Sequence, residues 1–204
     1  MTTKLSAEKL TLFRGERCLF KGLDFALNRG ELLLLEGRNG SGKTSLMRAI
    51  AGLLELESGE IYWDGNSVRT HRQQFHGSLV WMAHRVGFKA DLTLVENLKF
   101  EAHLRAQSGA DFEDVLKRLD IDRLKRLPLR ALSAGQQRRV ALARMLLSRV
   151  PLWLMDEQFT NLDREGRALV MQLTTEHLAR DGMCIMAAHQ DIDIDGNVQK
   201  IVLQ

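Results

Sequence analysis

The sequence predicts an α/β fold in which a mostly parallel sheet is covered by helices, with a small antiparallel β region and a helical lobe attached. Three observations carry this expectation. Apolar runs such as Leu32–Leu35, Val150–Met155 and Met183–Ala188 do not alternate with polar residues, the pattern of strands covered on both faces. Helical apolar periods separate these runs, and strands that alternate with helices build parallel sheets. A glycine-rich loop joins the first run directly to a helical period.

Taken in order, Leu10–Phe13 and Cys18–Leu27 read as short strands around a turn-like break at Arg14-Gly15-Glu16. Leu32–Leu35 is a buried strand that runs into Gly37. Beyond it, Leu46, Ile50, Leu53 and Leu54 recur at helical spacing, with the helix ending near Gly52. Gly59–Trp63 reads as a strand, and Asp64-Gly65 as the turn of a hairpin. Leu94, Leu98, Leu104, Phe112, Leu116, Leu119 and Leu124 give helical periods with charged faces. A helical lobe is therefore expected at about residues 86–135 of a single domain spanning 1–204. Leu132–Gln136 opens a helix carrying Val140, Ala143 and Leu147. Leu152–Met155 is a buried strand, Glu165–Leu178 a helix, Met183–Ala188 a strand, and Ile201–Leu203 a last short one.

Composition narrows the function classes. The 204 residues are 45% hydrophobic and 27% charged, the balance of a globular domain, and 2 prolines with 16 glycines exclude a Pro/Gly-rich or collagen-like architecture. Lys and Arg number 29 against 26 Asp and Glu, so the net charge of +3 gives no basis for nucleic-acid binding. Cys18 and Cys184 stand in no metal or redox spacing and read as reduced thiols of a cytosolic compartment. No secretory signal and no membrane-spanning run of apolar residues is expected. His71, His76, His103 and His177 read as solvated or interfacial, and Trp63, Trp81 and Trp153 as packing residues.

Three motifs carry chemistry. The first is the phosphate-binding loop Gly37, Arg38, Asn39, Gly40, Ser41 and Gly42, with Lys43, Thr44 and Ser45 opening the helix behind it. Its glycines let backbone N–H groups turn inward around phosphates, and the helix aims its positive end at them. Lys43 reaches the outer phosphates, and the Thr44 hydroxyl can bind Mg²⁺. The second is Leu152-Trp153-Leu154-Met155-Asp156-Glu157, two acids at the end of a buried strand, where ligands of open parallel sheets sit. Asp156 can hold Mg²⁺ through water and Glu157 can polarise an attacking water; a solvated acidic turn is the alternative. The third is Leu132-Ser133-Ala134-Gly135-Gln136, a second anion cradle at a helix start, or otherwise an ordinary Ser-capped helix. One nucleotide needs only one such cradle besides the phosphate loop, so a spare one suggests that two chains share each nucleotide.

In that order, with Asp156 following Gln136 by 20 residues, the motifs resemble the ATPase subunit of ATP-binding-cassette transporters. The resemblance covers the whole chain and implies ATP and Mg²⁺, sandwiched between two head-to-tail copies. By the same resemblance, Phe13 stacks on adenine, Leu162-Asp163 forms the loop crossing the dimer interface, and His189 is the switch histidine contacting the γ-phosphate. A narrower resemblance rests on Arg14–Phe20, on Ala134 within the signature, on Gln136–Arg144 and on His189-Gln190-Asp191. These look like the haem-exporter ATPases of cytochrome c maturation. That family implies a peripheral place at the cytoplasmic face of a bacterial inner membrane, with separate permease subunits. Its work there is haem delivery to, or release from, a periplasmic haem chaperone.

Two departures stand out. Where the wider family offers Gln to Mg²⁺ and to the membrane subunit, 13 residues before Asn97, this chain has His84, as the narrower family also looks to have. Gln158 follows Glu157 where proline is usual; proline would bias Glu157 toward extended backbone. The Arg105–Arg130 stretch alternates charges, either as a solvated helix face or as the place where the family's membrane subunit docks. The rival readings are a cassette ATPase serving another cargo, a soluble cassette ATPase, and a kinase, which would have no need of Leu132–Gln136.

Overall fold

The computed structural model describes residues 5–83, 87–105, 112–156, 164–188 and 196–204, with the side chains of 101–105 left aside. Strands β1 (Leu5–Arg14) and β2 (Arg17–Leu27) form a hairpin whose turn closes at Arg14 opposite Arg17. β3 (Glu31–Gly37) and α1 (Lys43–Ile50) follow, then the hairpin β4 (Ser58–Trp63) and β5 (Asn66–Ser67). Asp64 and Gly65 both have positive φ, 51° and 79°, as a two-residue hairpin turn requires. Next come α2 (Arg72–Gly77), β6 (Leu79–Met82), α3 (Leu94–Arg105), α4 (Phe112–Arg118) and α5 (Ala134–Ser148). β7 (Leu152–Asp156), α6 (Arg164–Ala179), β8 (Met183–Ala187) and β9 (Asn197–Leu203) complete the chain.

The expected mixture of sheets is present. A five-stranded parallel sheet runs β6-β7-β8-β3-β9, and a four-stranded antiparallel sheet runs β2-β1-β4-β5. The pleat explains why the leucine run does not alternate. Leu32 and Leu34 join one core with Val80, Trp153, Met155 and helices α3 to α6; Leu33 and Leu35 join the other with α1 and the antiparallel sheet. Each face is covered, so all four leucines are fully buried, at about 1.5–3 kcal/mol per side chain.

Several sequence-based boundaries are corrected. β1 begins at Leu5, not Leu10, because Leu5, Ala7 and Leu10 are all buried against β2 and β4. α1 stops at Ile50, leaving Leu53 61% and Leu54 37% exposed, since Gly52 takes a positive φ and ends the helix. β9 starts at Asn197 rather than Ile201, held by parallel pairing along the whole of β3. The periodicity signal missed β6 and α2 altogether, both too short to show a period.

Register places the site. Ala187 of β8 pairs with Leu35 of β3 on one side and Asp156 of β7 on the other. The loop after β3 and the carboxylate ending β7 therefore emerge two strands apart at the same end of the sheet.

Candidate functional site

The loop between β3 and α1 is built for a close-approaching ligand. Gly37 has φ 145°, and a Cβ there would lie 2.4 Å from the Leu203 carbonyl oxygen and 2.5 Å from Ser41 Oγ. Only glycine fits. Gly42, φ 108°, starts α1 with no side-chain cap and no acid in the first turn, so the helix's first N–H groups are left for an anion. Lys43 is buried, and its Nζ donates to the carbonyls of Gly37 at 2.7 Å and Arg38 at 3.1 Å. Arg38, Asn39 and Gly40 form the exposed rim, and Ser45 is half-buried behind them. Ser41 Oγ is buried without a hydrogen-bond partner, an orphan that costs about 1–3 kcal/mol unless a ligand satisfies it.

Beside this loop, Thr44 Oγ1 donates to Asp156 Oδ1 at 3.1 Å. Asp156 is 3% exposed at the end of β7, so its carboxylate is held by the sheet rather than by solvent. A hydroxyl and a carboxylate are hard oxygen donors of the kind Mg²⁺ takes alongside phosphates. Phe13, the last residue but one of β1, has 43% of its surface exposed and lies opposite Cys18 in the hairpin. Leu19, the next residue, lies 3.3 Å from where a Gly42 Cβ would be, so the aromatic hairpin abuts the phosphate loop.

At the second candidate cradle the Ser133 side chain caps α5. Ser133 Oγ accepts from the Gln136 N–H at 3.2 Å, and Gln136 Oε1 accepts from the Ser133 N–H at 2.9 Å, a reciprocal capping box on α5. Ser133, Ala134 and Gly135 remain exposed. Ser133, Gly135 and Gln136 line a cavity of about 260 Å³ with Arg138, and none of its lining residues belongs to the phosphate loop or to β7. Burial pulls the Arg138 guanidinium below its ordinary pKa. Within one chain, then, the two cradles open into different spaces.

His84, Glu157, Asp163 and His189, together with Gln158, lie outside the described residues. Among the described residues no cluster of three His, Cys, Asp or Glu could hold a metal. His177 differs from its expected solvated or interfacial place. It stacks on Trp153 at 4.0 Å and 7°, and its Nε2 sits 3.2 Å from the carbonyls of both Pro151 and Met183. Burial lowers its pKa to about 4, so the ring is neutral packing. His76 Nε2 is likewise engaged, 2.8 Å from the Ala51 carbonyl.

Sequence reading named Trp81 and Arg144 but not the contact between them that holds the end of β6. The Arg144 guanidinium donates to the Trp81 carbonyl at 2.9 Å and stands 5.2 Å from the Phe88 ring centre. A signal existed: Arg144 falls four residues after Val140 on the stripe that Val140 and Leu147 mark as apolar, a place where an arginine needs a partner.

The chain matches the family described as ABC transporter over residues 20–160. It is 44% identical to the cytochrome c biogenesis ATP-binding export protein CcmA of Methylococcus capsulatus, over 98% of this chain and 97% of that protein. Its identity to the protein of the same description from Vibrio cholerae is 42%, over 94% and 93%. Among solved structures, an ABC transporter ATP-binding protein of Pyrococcus furiosus superposes with a TM-score of 0.84, covering 98% of this chain and 97% of that one at 23% identity, a likeness of fold. Among the described residues no helix is long and apolar enough to cross a membrane.

Proposed function

The chain belongs to the ABC transporter family as an ATP-hydrolysing subunit of the cytochrome c biogenesis type, and from this premise we propose that it powers haem export or delivery to a periplasmic haem chaperone. It does so as one ATPase domain, peripheral to the cytoplasmic face of a bacterial inner membrane, with its helical segment at about 86–135 turned to permease subunits. The observation that supports this reading best is the Thr44–Asp156 pair beside an uncapped helix start.

The orphaned Ser41 hydroxyl, the glycine cradle and the hard oxygen donors fit a Mg²⁺-nucleotide. Thr44 and Asp156 would hold Mg²⁺, which when bound supplies charge neutralisation at the phosphates. Phe13 stacks on the adenine. Lys43, whose charge its own loop carbonyls now satisfy, turns to the outer phosphates when these replace them. Glu157 orients or deprotonates the attacking water, and His189 contacts the γ-phosphate. The turn Ser133–Gln136 of a second copy closes over the same nucleotide, with Asp163 in the loop between copies, so two ATP molecules are shared by two chains. His84 meets the membrane subunit.

The test is complementation. A strain lacking this subunit should regain holocytochrome c with the wild-type chain and fail with Lys43→Ala or Asp156→Ala. Normal cytochrome c assembly with either variant would remove ATP hydrolysis by this chain from the pathway. An unimpaired pathway in the strain lacking the subunit would assign it another cargo.

A further inference from the structure

A cavity of about 400 Å³ opens at the end of the parallel sheet away from the phosphate loop, where α5 and α6 stop and β7 and β8 start. That volume lies within the range of small-molecule pockets. Leu146, Val150, Pro151 and Leu173 give it one apolar wall, and the stacked rings of Trp153 and His177 give it a second. Gly182 makes room for the stack. A Cβ there would lie 2.5 Å from His177 Cε1, and the ring is held by Trp153 and by the Pro151 and Met183 carbonyls.

Charge gathers at the rim. Arg29, Arg149 and Arg180 line the cavity, against Glu176 and Asp181. Glu176 is already bonded to Arg118 of α4 at 2.5 Å and lies 4.0 Å from Arg180, so positive charge remains in excess.

Backbone strain is kept here twice. Arg149, just after α5, and Asp181, just after α6, have φ of 48° and 61°, the left-handed region that glycine enters without cost. Capping does not explain the choice of side chains. At the end of α6 the His177 and Leu178 carbonyls already accept the N–H groups of Arg180, Asp181 and Gly182. The Arg149 guanidinium has no hydrogen bond or ion pair among the described residues. A cation kept on strained backbone at a cavity rim, with no partner there, is placed for an anion from solution.

We propose that this cavity binds a small organic carboxylate with a compact apolar body. The body lies against Leu146, Pro151 and the His177 ring, and the charge meets Arg149 and Arg180. The site shares no residue with the nucleotide site and does not depend on the function proposed above.

The probe is naphthoate, titrated into the isotope-labelled chain while the indole N–H resonances of its 3 tryptophans are followed. A saturable displacement of the Trp153 resonance, with Trp63 and Trp81 unmoved, is expected, and a Trp153 resonance that stays in place would overturn the proposal. Naphthamide, the uncharged counterpart, should bind about tenfold more weakly, and inorganic phosphate should leave Trp153 unmoved. Equal affinity for the amide would show an apolar pocket only, and an equal displacement by phosphate a bare charge site; either overturns the proposal. Arg149→Gly should weaken naphthoate about tenfold without lowering the melting temperature, since glycine takes that φ freely. Full affinity in Arg149→Gly would overturn the assignment. Should that variant fail to fold, Arg180→Gln takes its place, and full affinity there overturns it equally. Lys43→Ala should bind the probe as the wild type does. A loss there would move the probe to the phosphate loop, which refutes this site and leaves the nucleotide reading intact.

Discussion

The hydroxyl of Thr44 and the carboxylate of Asp156 meet at 3.1 Å, one from the first turn of α1 and the other from the last residue of β7. The bond joins the phosphate loop to a strand two places away in the sheet, with β8 between them. It fixes the distance between two oxygen donors.

Removing the charge but not the shape at this pair should separate metal use from nucleotide binding. Asp156→Asn is expected to raise the Mg²⁺ concentration needed for half-maximal hydrolysis while a fluorescent nucleotide still binds without metal. An unchanged Mg²⁺ titration would exclude Asp156 as a metal-site residue.

Glu157→Gln should retain ATP and abolish turnover, because an amide cannot take the proton of the attacking water. Loss of a positioned general base is expected to lower kcat by about 10²–10⁴-fold. Steady-state hydrolysis near the wild-type rate would take Glu157 out of the catalytic step.

The same variant tests the shared site. With saturating ATP and Mg²⁺, Glu157→Gln should shift from monomer to dimer in light scattering if, as proposed, ATP bridges Lys43 of one copy and Ser133 of the other. Adding Ser133→Arg should return it to monomer. A dimer that ignores the Ser133 substitution would place the interface elsewhere.

Gly37→Ala should cripple the loop. Strained backbone at a positive φ costs about 1–3 kcal/mol, and the new Cβ would press on the Leu203 carbonyl at 2.4 Å, which is backbone and cannot swing away. Both the melting temperature and ATP affinity should fall. Wild-type affinity in a folded Gly37→Ala chain would contradict the cradle geometry.

His177 gives the protein a defined acid sensitivity. Its ring takes a proton near pH 6.5 when unfolded but only near 4 in the fold, because burial disfavours the cation. Between those values the unfolded chain holds the extra proton, so stability falls as pH drops from about 6.5 to about 4. His177→Phe should flatten that part of the curve, at the expense of the contacts to Pro151 and Met183 at neutral pH. An equal slope in both proteins would assign the acid sensitivity to other groups.

Much of the architecture was legible because it rests on local patterns. Leu32–Leu35 and Met183–Ala187 are too short and too apolar to be anything but strands covered on both faces, and the structure buries every residue of both runs. Gly37 and Gly42 mark the phosphate loop by spacing alone, since only glycine allows their φ values. β6 was not legible. Its four residues owe their conformation to pairing with β7, a partner some seventy residues away whose hydrogen bonds leave no trace in the local pattern.

By itself, then, the sequence determined the glycine loop, the capped helix start and the acid-ended strand and the order in which they occur, because glycine conformation, helix capping and apolar periodicity act over a few neighbours. Only the tertiary structure decided what those residues face. It brought Thr44 to Asp156, seated Lys43 on its own loop carbonyls, turned the Ser133 hydroxyl into a cap and set His177 flat on Trp153. It also chose Trp81 and Phe88 as the partners of Arg144. These contacts depend on strand order and on which side of each pleat is covered, and both are fixed by burial summed over the whole chain.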